Sequence, residues 1–101
     1  MKIENIRIEV AATKEVLEAT AWYEKESEQT KEHFVADFEK ALNLIRHYPE
    51  AWPVLHGQYR KCRLSRFPYL IIYSSDRNEI SIAAVMHAKQ KPNYWAKRKM
   101  A

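Results

Sequence analysis

Residues 63–87 read RLSRFPYLIIYSSDRNEISIAAVMH, and this stretch decides the fold. Tyr69–Ser74 (YLIIYS) is dense in β-branched and aromatic residues, and Glu79–His87 (EISIAAVMH) alternates through Ile80 and Ile82, so both read as strands. Between them, SSDRNE supplies turn-forming Ser, Asp and Asn. Just upstream, Tyr59–Leu64 (YRKCRL) alternates charged residues with Cys62 and Leu64 and forms another strand. SRFP makes the bend into Tyr69, where Pro68 suits the first residue of a strand or an edge. Two hairpins connect the three strands.

Working outward, Lys2–Val10 places Ile6, Ile8 and Val10 on one side and Asn5, Arg7 and Glu9 on the other, the pattern of a half-buried strand. From Thr13 to about Ser27 helix formers dominate, with Val16, Ala19 and Tyr23, and Leu17 and Ala21, at three- and four-residue spacing; Thr13 is read as the N-cap. Thr30 is read as the cap of a second helix, in which Phe34, Phe38, Leu42 and Ile45 follow at i, i+4, i+8 and i+11, with Ala41 and Tyr48 alongside. Pro49 stops that helix near His47 or Tyr48, so YPEAWPVLHG is read as the connecting loop. The expected fold is α+β, in the order strand-helix-helix-strand-strand-strand. Two helices pack on one face of a mostly antiparallel four-stranded sheet, and a basic C-terminal tail, AKQKPNYWAKRKMA, follows.

A chain of 101 residues is one domain, residues 1–101, on size grounds, and can hold a core without a disulfide or metal staple. The single cysteine, Cys62, has no partner for an internal disulfide, and MKIENIRIEV contains no apolar run of the secretion-signal kind. LIIY and IAAVM fall far short of the ~20 apolar residues of a membrane span. The expectation is a cytoplasmic protein with no membrane partner. Charge is unevenly distributed: residues 1–55 carry seven basic against eleven acidic residues, and residues 56–101 carry ten against two. A C-terminal half with net charge +8 attracts polyanions, whether nucleic acid, ribosome surface or an acidic protein segment, or else is simply a solvated basic face.

The residue types exclude several chemistries. His33, His47, His56 and His87 show no metal-ligand spacing, and one cysteine does not build a zinc site. There is no Ser-His-Asp grouping, no carboxylate pair and no glycine-rich phosphate loop. No metal, cofactor or small-molecule substrate is expected. Trp22 and Trp52 read as core or partner-contacting residues.

The order of elements, AWYE in the first helix, LIRHYPEAWP closing the second, then Phe67, Pro68, Tyr69 and Tyr73, and finally His87, Pro92, Tyr94 and Trp95, resembles the RelE/ParE superfamily of bacterial toxins. The resemblance spans essentially the whole chain. It implies the toxin of a type II toxin-antitoxin (plasmid stabilisation) system, a growth inhibitor neutralised by a cognate acidic, partly disordered antitoxin segment. The superfamily has two mechanisms, ribosome-dependent cleavage of mRNA and poisoning of DNA gyrase.

Metal-free RNA cleavage requires a base for the 2′-hydroxyl, an acid for the leaving oxygen and cations on the phosphate. RNA-cleaving relatives commonly carry an arginine where this chain has Leu70, so that arginine is missing, and a second just past the last strand, whose position aligns best with HAKQ, near Ala88. Tyr94 stands where a functional tyrosine is expected, with His87 close in sequence. These two are the candidate catalytic residues if the protein cuts RNA, although His87 as a strand-end residue and Tyr94 with Trp95 as a tail anchor have structural readings too. Arg60, Lys61, Arg63, Arg66, Lys89, Lys91 and Arg98 are the candidate target-binding residues; strand alternation sends Arg60 and Arg63 to opposite faces. The reading leans to the ParE type, acting by protein binding. A RelE-type mRNA endonuclease is the alternative, and a non-toxic nucleic-acid-binding domain on the same scaffold is a further one.

Overall fold

The computed structural model describes residue 3, residues 5–90 and residues 93–100, the last two by backbone alone. The described elements are β1 (Asn5–Ile8), α1 (Val10–Glu26), α2 (Glu28–His47), β2 (Val54–His56), β3 (Tyr59–Arg63), β4 (Tyr69–Asp76), β5 (Glu79–His87) and α3 (Ala96–Met100). The five strands form one sheet in the order β1-β5-β4-β3-β2, with β1 parallel to β5 and the other neighbours antiparallel. The class is α+β as expected, but the sheet is mixed and five-stranded rather than four-stranded. The additional strand is β2, inside the segment read as a loop. All three of its residues are exposed, so it offers no alternation of burial to detect. Gly57 closes the β2–β3 turn at φ +57 with open space around its Cα, so the left-handed backbone is what favours glycine there. The C-terminal tail, read from the sequence as a basic segment, ends in the short helix α3.

Capping moves the helix starts. Glu9 donates its N–H to the Ile82 carbonyl, which ends β1, and α1 begins at Val10, one of the most exposed apolar side chains at 88%. Thr13 already lies within the helix, its N–H bonded to the Glu9 carbonyl at 2.9 Å, so it is not the N-cap. Nor is Thr30 the cap of α2. Ser27, held in extended conformation, accepts the Thr30 N–H on Oγ at 2.9 Å and donates its own N–H to Tyr23 O, so one residue both ends α1 and starts α2. The result is a tight helical hairpin lying on one face of the sheet.

Between hairpin and sheet lies the main core. The expected stripe of α2 is buried at Phe34, Phe38, Ala41 and Ile45, and meets Ile71, Tyr73, Ile80, Ile82 and Val85. Phe67 plugs the aromatic end of this layer, with its ring 4.9 Å from Tyr23 and 5.4 Å from Phe34. Full burial of each large aliphatic or aromatic side chain contributes roughly 1.5–3 kcal/mol. Cys62 is buried in the same core, which raises its thiol to about 11 and leaves it inert at neutral pH.

One charge sits on the buried stripe. Asp37 accepts the Ser65 hydroxyl at 2.7 Å and the Arg66 and Phe67 N–H groups at 2.9 and 3.1 Å, pinning the β3–β4 bend beneath α2. Burial opposes its charge, but the Ser65 hydroxyl and the backbone donors outweigh burial and hold its pKa below the ordinary value. The stabilisation this provides is therefore complete above the unfolded carboxylate value near ~3.9 and disappears as pH falls through the lower folded value. We expect Asp37→Ala to cost about 2–3 kcal/mol at pH 7, and the gap from the parent chain to close in urea titrations carried toward pH 2. A gap that stays constant with pH would contradict this role.

The opposite face of the sheet carries a second apolar layer. Ile72, Ala83, Ala84 and Met86 are buried under Trp95, with Tyr59, Leu70, Tyr94 and Ala96 partly covering them. The tail thus folds back across the sheet, and the molecule has three layers: helical hairpin, sheet, and C-terminal cover.

Candidate functional site

The site forms where the sheet runs out of strands. β1 pairs with β5 only as far as Ile82. Directly after it the β4–β5 register shifts, with Tyr73 opposite Ile82 and Ile72 opposite Ala84, so Ala83 is an extra, bulged residue. Past that point the free edge of β5 is satisfied by side chains. Glu15 of α1 accepts the Val85 N–H at 2.9 Å on Oε1, and Arg98 of α3 donates to the Ala83 carbonyl at 3.1 Å. These two side chains also pair with each other, Arg98 Nη2 to Glu15 Oε2 at 2.8 Å. Tyr94 donates its hydroxyl to the same Glu15 oxygen, and the Arg98 guanidinium lies 5.0 Å from the centre of the Tyr94 ring.

Beside this network runs a groove of about 570 Å³ between α1 and the end of β5, walled by Trp22, Tyr69, His87 and Tyr94 and carrying Lys14 and Glu18 on its rim. The two candidate catalytic residues therefore share one groove. Both are already engaged in hydrogen bonds within the protein. Burial, reinforced by the Glu15 carboxylate, pushes the Tyr94 phenol well above its ordinary value, so it stays protonated at neutral pH and its proton is already committed. His87 accepts the Lys89 N–H on Nδ1 at 3.0 Å and packs edge-on against Tyr69 at 5.1 Å, the geometry of a hydrogen-bonded strand end. Its Nε2 is thereby the protonated nitrogen of the neutral ring.

The candidate cations do not converge on this groove. Arg60 lies on the helix-facing side, where it donates to the Trp52 and Glu50 carbonyls at 2.7 and 3.3 Å and ties down the segment after α2. Tyr73 secures the same segment by donating to the Pro49 carbonyl at 2.7 Å. Lys61 and Arg63 lie opposite Ile72 and Leu70 on β4 and belong, by strand alternation, to the other face of the sheet. Arg66 is exposed near α2, beside His33 and Lys40. Lys89 is exposed just beyond β5, and Lys91 lies outside the described residues. Among the described candidates Arg98 alone lines the groove, and Glu15 neutralises it. Leu70, at the position of the missing arginine, pairs with Arg63 on one side and Met86 on the other.

Glu15 and Asp37 organise the molecule, and neither was singled out in the sequence. Asp37 had a legible signal, a carboxylate on the stripe between Phe34 and Ala41. Glu15 had none, because its partners lie 70 to 83 residues away. Among the described residues no group of three or more His, Cys, Asp or Glu could hold a metal ion, and no helix is long and apolar enough to cross a membrane.

A helical hairpin on a sheet whose open β5 edge is closed by a C-terminal Tyr and Arg defines a small α+β protein. The chain belongs to the ParE toxin family of type II toxin-antitoxin systems (parDE), whose model matches residues 6–92. Its fold is similar to that of a chain in the chromosomal ParDE toxin-antitoxin system from P. aeruginosa, with a TM-score of 0.74 at 13% identity, covering 86% of this chain and 98% of that one. None of the curated proteins matches it significantly in sequence. It is the toxin of such a pair, with an antitoxin as its partner.

Proposed function

We propose that this toxin arrests growth by binding a protein target, DNA gyrase, and performs no chemistry of its own. The observation that supports this reading is the dispersal of the groups that RNA cleavage requires. Tyr94 is held protonated on Glu15, Leu70 occupies the arginine position, and Arg60 is spent on backbone carbonyls while Lys61 and Arg63 belong to the opposite face. Transition-state stabilisation needs acid, base and cation around one phosphate. In this reading the cytoplasm holds both toxin and target, and the antitoxin segment is acidic.

The ribosome-dependent alternative retains one favourable observation, the shared groove of His87, Tyr94 and Arg98. Purified toxin added to gyrase is expected to inhibit supercoiling and trap cleaved DNA, and its induction in cells to raise a DNA-damage response. His87→Ala and Tyr94→Phe are expected to retain toxicity to within a few-fold, since Tyr94→Phe gives up a single hydrogen bond to a charged group, about 1.5–3 kcal/mol of stability. Cut messages within minutes of induction, abolished by either variant, would instead establish the nuclease.

A further inference from the structure

Helix α1 carries apolar side chains on two sides. Ala12, Ala19 and Tyr23 are buried toward the core, as a surface helix requires. Yet Val10, Leu17 and Trp22 are 88%, 63% and 62% exposed, and among the described residues they are the three most exposed large apolar side chains. With Ala21, also exposed, they make an apolar patch on the side of α1 that the core does not use. Two charges cross this patch. Val10, Lys14, Glu18 and Trp22 follow at intervals of four and form one ridge along the helix, roughly 18 Å from end to end at ~1.5 Å per residue. Lys14 and Glu18 are exposed, and among the described residues neither has an ion-pair partner. A lysine one turn before a glutamate is the weaker order for pairing within one helix, so both charges stay available to a neighbour.

We infer that this ridge pairs with a second copy of itself across a twofold axis, joining two toxin chains through α1 against α1. The ridge runs apolar, cation, anion, apolar, an order that is its own complement when reversed. An antiparallel copy centred near Val16 brings Lys14 against Glu18 of the partner subunit and Val10 against Trp22 of the partner subunit. Each contact is made twice, the isologous arrangement of a C2 dimer. The partner's ridge seats between this one and the neighbouring row of Thr13, Leu17 and Ala21, the commonest class of helix packing. Charge complementarity selects a second copy over a foreign partner, because symmetry places a carboxylate opposite each lysine. A single helix pair is smaller than the interface of a permanent dimer, so association is reversible, with a Kd on the order of micromolar. Lys14, Glu18 and Trp22 also line the β5-edge groove, so pairing covers it. The inference does not depend on what the toxin acts on.

Sedimentation equilibrium of the purified full chain from roughly 1 to 200 µM is expected to show a monomer-dimer equilibrium. Lys14→Glu sets carboxylate against carboxylate and Glu18→Lys sets lysine against lysine, and each is expected to raise the Kd roughly tenfold or more. Mixed in equal amounts, these two variants are expected to associate with each other about as tightly as the parent, since every charge then meets its opposite. Lys61→Glu, on the other face of the sheet, is expected to leave the equilibrium unchanged. All three positions are exposed, and melting curves matching the parent's show that the variants fold. A monomer at every concentration, a dimer indifferent to Lys14→Glu, or a mixture of the two variants that stays monomeric would each overturn the inference. Gyrase inhibition is a separate readout, so the two proposals fail separately.

Discussion

Trp95→Ala is expected to cost about 3–5 kcal/mol, the usual penalty for truncating a fully buried large aromatic, against a total stability of roughly 5–15 kcal/mol for a domain of this kind. The indole is completely buried on the face of the sheet away from the helices. Its seat exists because β5 places Ala83 and Ala84 beneath it, where larger side chains would fill the space. Tyr59 meets the ring edge-on at 5.1 Å and His56 at 6.4 Å, so its loss also releases contacts to β2 and β3. Among the described residues the indole Nε1 has no hydrogen-bond partner. Trp95→Phe therefore sacrifices volume but no polar contact, and about 1–2 kcal/mol is the expected cost by comparison with smaller core truncations. Urea unfolding with an unchanged m-value checks both numbers. A cost below about 1 kcal/mol for the alanine variant would mean that the tail is not a structural layer.

The second large effect lies at Glu15. Glu15→Ala leaves the Val85 N–H without its acceptor, strips Arg98 of its counter-charge and frees the Tyr94 hydroxyl. Breaking a fully buried pair costs about 3–5 kcal/mol; the Glu15 and Arg98 side chains are 18% and 27% exposed, so solvent screening lowers the expectation to about 2–3 kcal/mol. Arg98→Ala is expected to cost less, because it leaves Glu15 with two donors. The double variant should fall short of the sum by about 1–2 kcal/mol, the signature of a shared network. Limited proteolysis supplies an independent readout: with Glu15 replaced, cleavage is expected first in the tail after His87. Strict additivity and an unaltered cleavage pattern would contradict the linkage between α1 and α3.

Much of the architecture was legible in the chain because it rests on local periodicity. The 3.6-residue stripe from Phe34 to Ile45 and the alternation of Glu79–His87 each report burial on one side of one element, and burial dominates folding energetics. The strand β2 escaped because an exposed three-residue edge strand buries nothing and leaves no periodic mark. Val10 escaped in the opposite sense: it continued an alternation that Glu9 had already ended by bonding to Ile82. The cap of α2 was misplaced because Ser and Thr compete for the same role, and backbone geometry chose Ser27 over Thr30; α1 is entered from Glu9 without any side-chain cap, so Thr13 was no guide to it.

The candidate site was legible only in part. Tyr94, His87 and Arg98 were singled out from residue type and order, and the fold brings them to one groove. Their chemical states were not legible, since these depend on a carboxylate from the far end of the chain.

By itself, the amino-acid order determined the class of fold, the paired helices, the apolar hairpin at its centre and the concentration of positive charge after residue 55, because each is a property of neighbouring residues. The tertiary structure alone decided which of those charges are free. Arg60 is spent on backbone carbonyls and Arg98 on Glu15, while Lys61 and Arg63 stay exposed on the other face of the sheet. The reason is physical: strand pleating assigns side chains to opposite faces, and a charge is neutralised by whatever long-range partner the closed chain places within a few ångströms, a distance that no local pattern encodes.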